Sequence, residues 1–514
     1  MVRKMKPDKR KAKYYGIIRI ATVLLSLILQ IVMVAALIAF LKQYAMGIYL
    51  LLEIFSMIVV FGLVNEDEYN RQFWIVIITV LPGFGFILYY LWGSQAKDRK
   101  LHKRLQEIEI NMKEHLLQNP ETAEEFEAVH PNKVQISRYL QRDGYPVYED
   151  TDVTYYPLGD DMEEDFMRDL RNAKESIFME YFIIYNGEWW QRIREILVEQ
   201  AAKGVDVRIL VDDFGCLYMG VYKLKKELKK DGIKLCSFAP LEQRMESLSF
   251  NYRNHQKITV IDSTIAYTGG VNLADEYINQ LDRFGHWKDS AIRMEGAAVA
   301  TMTGIFLEMW QQAGGEETEI ENYMPRWETK GKGFVQPFSG GPHRNPHNPV
   351  YGVYGRMVDK ARDYVYITTP YLVLDYHLRC QLLQAVESGV DVRIITPHRY
   401  DKWYVYMVTV SNYGRLLERG VRIYEYTPGF IHAKNVVVDD ECAVCGTINL
   451  DYRSMYLHHE NGVFLANDQS VLAIKEDFLK TLEQCEEIRY DQWKKRPLGQ
   501  KIVQGILRVL SPLL

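Results

Sequence analysis

The sequence predicts an α/β protein: two pseudo-symmetric α/β domains that share one active site, preceded by an N-terminal α-helical transmembrane anchor of two to three hydrophobic helices. Three observations predict it. The hexapeptide GVDVRI at Gly204–Ile209 recurs letter for letter at Gly389–Ile394. A polar pattern, H-x-K-x4-D, follows each copy. Three apolar runs occupy the first hundred residues.

Composition sets the outer limits. With 48% hydrophobic and 25% charged residues, the 514-residue chain is that of a folded protein with ample core. Its net charge of −5 gives no basis for binding nucleic acid, which needs a basic surface. The basic residues concentrate at the N-terminus, where Arg3, Lys4, Lys6, Lys9, Arg10, Lys11 and Lys13 face one acid, Asp8. The cysteines Cys216, Cys236, Cys380, Cys442, Cys445 and Cys485 show no disulfide spacing. Cys442 and Cys445 form a lone CxxC without the second pair that a zinc site needs, so they read as small buried strand residues.

Residues 1–96 read as the anchor. Ile20–Leu41 is long enough to span a bilayer as a helix. Met46–Val64 is similar but carries Glu53, and Phe73–Trp92 is broken by Pro82, Gly83 and Gly85. Tyr89, Tyr90 and Trp92 fall where a membrane interface would be. Both flanks are basic, residues 1–19 before and Lys97, Arg99, Lys100, Lys103 and Arg104 after. The positive-inside rule then places both flanks, and the catalytic region, on the cytoplasmic side of the cell membrane. That requires an even number of spans, so either one of the three runs, the Pro/Gly-broken third above all, is re-entrant or interfacial, or the rule fails here. Residues 97–133 read as a charged connector.

The remainder is one unit written twice, predicted as domains 134–325 and 326–490. Apolar runs Ser176–Ile184 and Tyr364–Leu374 precede the two hexapeptides, with helical patterns Trp189–Ala202 and Tyr376–Glu387 between. Strand, helix, strand is a βαβ unit with a parallel pair. The Gly/Pro-rich stretch Gly314–Asn348 reads as the linker between the halves.

The polar residues repeat with the fold. His255, Lys257 and Asp262 match His432, Lys434 and Asp439, and in each half a glycine (Gly269, Gly446) and an asparagine (Asn272, Asn449) follow at the same spacing. Each motif lies on a β-branched run, so histidine and lysine, two residues apart, share a face. The aspartates stand at an odd offset and open polar turns, and although part of the motif they read as structural. Two lysines neutralise a tetrahedral anion, and asparagine amides donate to its oxygens. One histidine can attack phosphorus, and the other can protonate the leaving alkoxide and then deprotonate the incoming hydroxyl. This chemistry needs no metal or cofactor. A nucleophilic imidazole needs an acid on its other nitrogen. Asp289 and Glu460, in matching places downstream, are the candidates.

These paired motifs, with GGVN (Gly269–Asn272) and GTIN (Gly446–Asn449) after them, resemble the phospholipase D superfamily over roughly residues 134–490. The segments NYRNH (Asn251–His255), FGHWKD (Phe284–Asp289), GTINLDYRS (Gly446–Ser454) and YYLWG (Tyr89–Gly93), with the Arg496–Gly499 and Ile506–Leu514 tail, are similar to the bacterial cardiolipin synthases within it. The resemblance implies two phospholipase D-like domains and a phosphohistidine. One phosphatidylglycerol would give up glycerol and a second would attack, making cardiolipin at a lipid membrane, with His255 as nucleophile and His432 as acid/base. Gly270 and Thr447 stand where many members of the superfamily have serine, and are read as phosphate support. The alternative is the same chemistry with water or another alcohol as acceptor. His286 reads as a substrate contact or a satisfied structural histidine, and His458 and His459 as packing or surface residues. The tail 491–514 is amphipathic. It either lies on the membrane, with Lys501 and Arg508 towards headgroups, or docks on the protein.

Overall fold

The computed structural model describes residues 44–511 apart from 64–67, 91–98, 240–251, 324–332 and a few single positions, with only scattered residues before 44. The run Ile20–Leu41 falls almost wholly outside the described residues. The next two runs give helices Ala45–Leu63 and Glu68–Val80, packed on each other. Among the described residues no helix is long and apolar enough to cross a membrane, so the predicted transmembrane anchor is not seen there. The third run divides for a local reason: its helix starts in polar sequence at Glu68 and stops before Pro82.

Each half is built on a mixed sheet of the same order. In the first, seven strands run Thr151–Tyr156, Ala291–Gly296, Ile265–Gly269, Lys257–Ile261, Ser176–Tyr181, Asp206–Asp212, Lys234–Phe238. In the second, the corresponding strands are Phe334–Gly340, His458–Ala466, Cys442–Gly446, Asn435–Val438, Tyr364–Thr368, Asp391–Pro397 and Arg422–Tyr426, extended by Cys485–Ile488. The predicted βαβ pairs are parallel, Ser176–Tyr181 with Asp206–Asp212 across helix Glu188–Ala202, and Tyr364–Thr368 with Asp391–Pro397 across Tyr376–Glu387. Ser176–Tyr181 is buried at every residue, as a strand covered on both faces must be. One apolar cluster runs from Phe178, Ile258 and Phe306 in the first half to Phe338, Val365 and Val444 in the second, so the halves share a core. Cys442 and Cys445 are both in it, and their i, i+3 spacing on one strand sends them to opposite faces.

Two stretches read as connections are part of the folded body. Residues 97–133 contain helices Arg99–Lys113 and Pro120–Val129, whose Met112 and Phe126 enter the core. The linker read at Gly314–Asn348 holds the strand Phe334–Gly340, buried throughout and paired with His458–Ala466. Its Pro337 hid it from a sequence reading. The strand tolerates the proline because it lies at the sheet's edge.

The motif aspartates do the work of turns. Both adopt positive φ (Asp262 52°, Asp439 57°) where the hairpin reverses. Asp262 accepts the backbone N–H groups of Lys174, Glu175 and Ser176 at 2.7–3.1 Å. Asp439 accepts those of Arg362, Asp363 and Tyr364 at 2.9–3.2 Å. Each thus fixes the start of its half's central strand, at the far end of the motif strand from the histidine. Asp439 also takes an ion pair at 2.7 Å from Lys133, whose side chain is fully buried. Removing one partner of a buried pair strands the other charge. Lys133→Met is therefore expected to lower unfolding free energy by ~3 kcal/mol in a denaturant titration of the detergent-solubilised protein. An unchanged midpoint would contradict it.

Candidate active site

The site forms where each half lends a strand to the other. The segment before each histidine leaves its own sheet: Arg253–Asn254 pairs in parallel with His458–His459, and Gly429–Ile431 with His286–Lys288. The His255 N–H then donates to the His459 carbonyl (3.0 Å), and the His432 N–H to the Lys288 carbonyl (2.7 Å). The H-x-K residues therefore enter their strands, Lys257–Ile261 and Asn435–Val438, rather than lying within them as the sequence suggests. Their backbone is engaged with the opposite half.

This exchange pairs each histidine with the other half's acid. His255 Nδ1 lies 2.9 and 3.0 Å from the two carboxylate oxygens of Glu460. His432 Nδ1 lies 2.5 Å from Asp289 Oδ2. With Nδ1 so bound, Nε2 of each ring is the free nitrogen. Glu460 is itself held by the hydroxyls of Thr447 and Ser454, the latter at 2.7 Å. Gly270, the counterpart of Thr447, leaves room for an acid: a Cβ there would lie 1.9 Å from Asp289 Oδ1. Thr447 spends its hydroxyl on Glu460, and Gly270 is the space that Asp289 fills.

The other expected residues divide. Lys257 and Lys434 are buried, and each ammonium donates to the carbonyl of its own motif histidine, from Lys257 at 2.6 Å. Asn272 is already committed, its Oδ1 accepting from the Ile183 N–H (3.0 Å) and its amide donating to the Tyr277 hydroxyl (2.8 Å). Asn449 is buried with its Oδ1 unpartnered. His286 pairs with the Tyr426 hydroxyl. His458 stands in the site, its ring 5.4 Å from that of His255 and its Nε2 accepting from Arg453. His459 packs against Phe238 and His343. Sequence reasoning missed Ser454, Phe182 against the His255 ring, and Tyr277, Trp287 and Phe430 against that of His432. Tyr277 and Trp287 reach His432 from the opposite half, and Phe182, Ser454 and Phe430 meet their partners within their own half, without a repeated counterpart that would have singled them out.

Burial and the neighbouring lysines act on both imidazoles in the same direction. Burial, then the charges of Lys257 and Lys434, push His255 well below the ordinary histidine range. Burial and Lys434 bring His432 down to about 4, against the opposing pull of Asp289. Burial lowers Lys257 to about 7 and Lys434 to about 8. Burial raises Asp289, but His432 and Lys434 outweigh it and hold the acid low. The site is thus two neutral rings, each with an acid behind it, beside two ammoniums that are easily discharged. These lysines favour a bound anion only while protonated, so affinity for a phosphodiester is expected to fall as pH rises through 7 to 8. KM measured from pH 6 to 10 checks this, and a KM flat to pH 10 would contradict it.

Among the described residues two groups hold metal-ligating atoms within 4.8 Å of one another: His255 with His458 and Glu460, and Glu109 with Glu308 and His343. Both are occupied by hydrogen bonds and faced by cations. Lys257 and Lys434 act on the first, and Lys113 and Arg344 pair with Glu109 in the second.

Comparison with known proteins follows this architecture. The family model described as cardiolipin synthase, PLD-like domain, matches residues 166–310 and 354–482, one segment in each half. A phospholipase D-nuclease N-terminal model matches residues 54–94. A cardiolipin synthase of a Geobacillus species is 33% identical over 88% of this chain and 91% of its own length. The major cardiolipin synthase ClsA of Bacillus subtilis is 32% identical over 91% of this chain and 98% of its own. An uncharacterised protein of Streptococcus mutans is 38% identical over 88% and 98%. In fold, the chain is similar to a phosphatidylserine synthase of Haemophilus influenzae, with a TM-score of 0.57 at 17% identity, covering 74% of this chain and all of that one.

Proposed function

The chain belongs to the cardiolipin synthase family of phospholipase D-like proteins and is a phosphatidyltransferase of that kind; we propose that it joins two phosphatidylglycerol molecules into cardiolipin and glycerol through a phosphohistidine on His255. The observation that carries the route is the crossed pairing of His255 with Glu460 and His432 with Asp289.

In the first step His255 Nε2 attacks the phosphorus of one phosphatidylglycerol. The P–O bond to the headgroup glycerol breaks, and that oxygen takes the Nε2 proton of His432, which is neutral in the free enzyme and becomes an imidazolium, held by Asp289, once the phosphodiester anion is bound beside it. Glu460 holds the Nδ1 proton of the phosphorylated ring and offsets its positive charge. In the second step a headgroup hydroxyl of another phosphatidylglycerol gives its proton to His432 and attacks phosphorus. The P–N bond breaks and His255 returns neutral. Lys257 and Lys434 balance the charge of the phosphoryl oxygens throughout. Burial and the neighbouring lysine charges favour His255 as the free base, and Asp289 favours the charged form of His432. A phosphodiester anion bound between the rings adds to that preference.

Residues 1–96 bring this chemistry to its lipid as a membrane anchor. Helix Ala45–Leu63 turns Leu50, Leu51, Ile54, Ile58 and Phe61 outward, a surface suited to lipid rather than water. The basic flanks put the catalytic halves on the cytoplasmic side of the cell membrane.

The test is purified protein with phosphatidylglycerol alone, in the presence of chelator, followed by mass spectrometry. Cardiolipin and glycerol are expected in equal amounts. Phosphatidic acid without cardiolipin would make water the acceptor and overturn the reading.

A further inference from the structure

The last long helix, Leu498–Val509, is turned inside out. It packs against helix Trp403–Glu418, anchored just upstream by Trp493, whose indole N–H donates to the Val410 carbonyl at 2.7 Å. The residue it buries is polar: Gln504, whose Oε1 accepts from Arg496 at 3.1 Å. Its apolar residues face outward except Leu507, which is half-buried. Leu498, Ile502, Ile506 and Val509, 73%, 55%, 61% and 40% exposed, recur at i, i+4, i+8 and i+11 and so form one stripe. A helix on a water-bathed surface does the reverse, burying its apolar stripe against the core.

The charge around the stripe says what covers it. From Gln492 to the last residue the chain holds Lys494, Lys495, Arg496, Lys501 and Arg508 and no acid, in a protein of net charge −5. Lys494, Lys495, Lys501 and Arg508 are exposed. Arg379 and Arg415 add their charge to this side: after burial, they are the groups that lower Arg508. An apolar stripe flanked by exposed cations that pair with no acid among the described residues fits an interface of apolar interior and anionic rim, which is a bilayer of anionic phospholipid. A second copy of the chain would bring the same positive charge against it.

We propose that Leu498–Val509 lies in the headgroup region of an anionic bilayer and is a second membrane contact, separate from the N-terminal anchor. Its place in the fold gives it a use. The helix it packs on begins next to Lys402, whose charge acts on His255, and Tyr400 and Trp403 beside that lysine are exposed aromatics of the kind that sit at membrane interfaces. The tail thus sets the active-site side of the second half against the lipid surface. The inference rests on the stripe and its charge, independent of which acceptor the enzyme uses.

The test is a nitroxide at Ile506→Cys in the full-length protein, reconstituted in vesicles of phosphatidylethanolamine and phosphatidylglycerol, with unsubstituted labelled protein as background. Accessibility to oxygen is expected to exceed that to a water-soluble nickel complex, at a depth of about 5–10 Å below the phosphates. A label open to the nickel complex in vesicles would overturn the proposal. So would one immobilised equally in vesicles and in lipid-free detergent, which would mean a protein contact. Ile502→Glu with Ile506→Glu is expected to cut activity on vesicles about tenfold, the effect of losing roughly 1.4 kcal/mol of surface binding, and to leave activity on detergent-dispersed lipid within about twofold. Full activity on vesicles would count against it.

Discussion

His255→Asn is expected to lower cardiolipin formation by ~10⁴-fold or more, with no recovery on any donor, because the variant lacks the nitrogen that bonds to phosphorus. His432→Asn is expected to be as poor on phosphatidylglycerol and to behave differently on a p-nitrophenyl phosphodiester. A nitrophenolate leaves without a proton, so the first step no longer needs an acid. The variant should then release one equivalent of nitrophenol per site in a burst and stall. The two histidines lie in similar shells, each buried, each with a carboxylate on Nδ1, each next to a lysine. Only a donor that separates nucleophile from acid distinguishes them. A burst from His255→Asn and none from His432→Asn would reverse the assignment.

The second large effect belongs to the carboxylates. Glu460→Gln is expected to reduce kcat by ~10²–10⁴-fold with little change in KM, the behaviour of a group that orients a catalytic imidazole. Glu460 reaches the reaction only through His255, and it is held in turn by Thr447 and Ser454. Asp289→Asn should cost a similar factor on phosphatidylglycerol and much less on the p-nitrophenyl donor, because Asp289 serves the acid and not the nucleophile. A merely structural role would lower both substrates alike in both variants. The crossed pairing also means that a change in one half is felt as a loss in the other's histidine.

How much of this was legible in the sequence depended on whether the signal was periodic. The GVDVRI repeat and its neighbouring apolar runs gave both βαβ units, because strand and helix periods are local. The odd offset of Asp262 and Asp439 gave their place in turns, and they hold three backbone amides each. The acids Asp289 and Glu460 were visible by matched position, but which histidine each serves was not. That follows from Arg253–Asn254 and Gly429–Ile431 crossing between halves, and a pair and a triplet of residues leave no periodic trace. The strand Phe334–Gly340 was read as linker because Pro337 and the flanking glycines look like a loop, and only its edge position makes them tolerable. Asn272 was read as a phosphate ligand from its spacing, and Thr447 as phosphate support from the family resemblance. The geometry instead gives their polar atoms to Ile183, Tyr277 and Glu460.

The most direct test is to quench the enzyme in alkali during turnover of a headgroup-unlabelled, phosphorus-labelled phosphatidylglycerol and map the labelled peptide. A phosphoramidate is stable in alkali and lost in acid. Label on the peptide containing His255, absent from Glu460→Gln, is the predicted result. Label on the peptide containing His432, or none while cardiolipin is still being made, would contradict it.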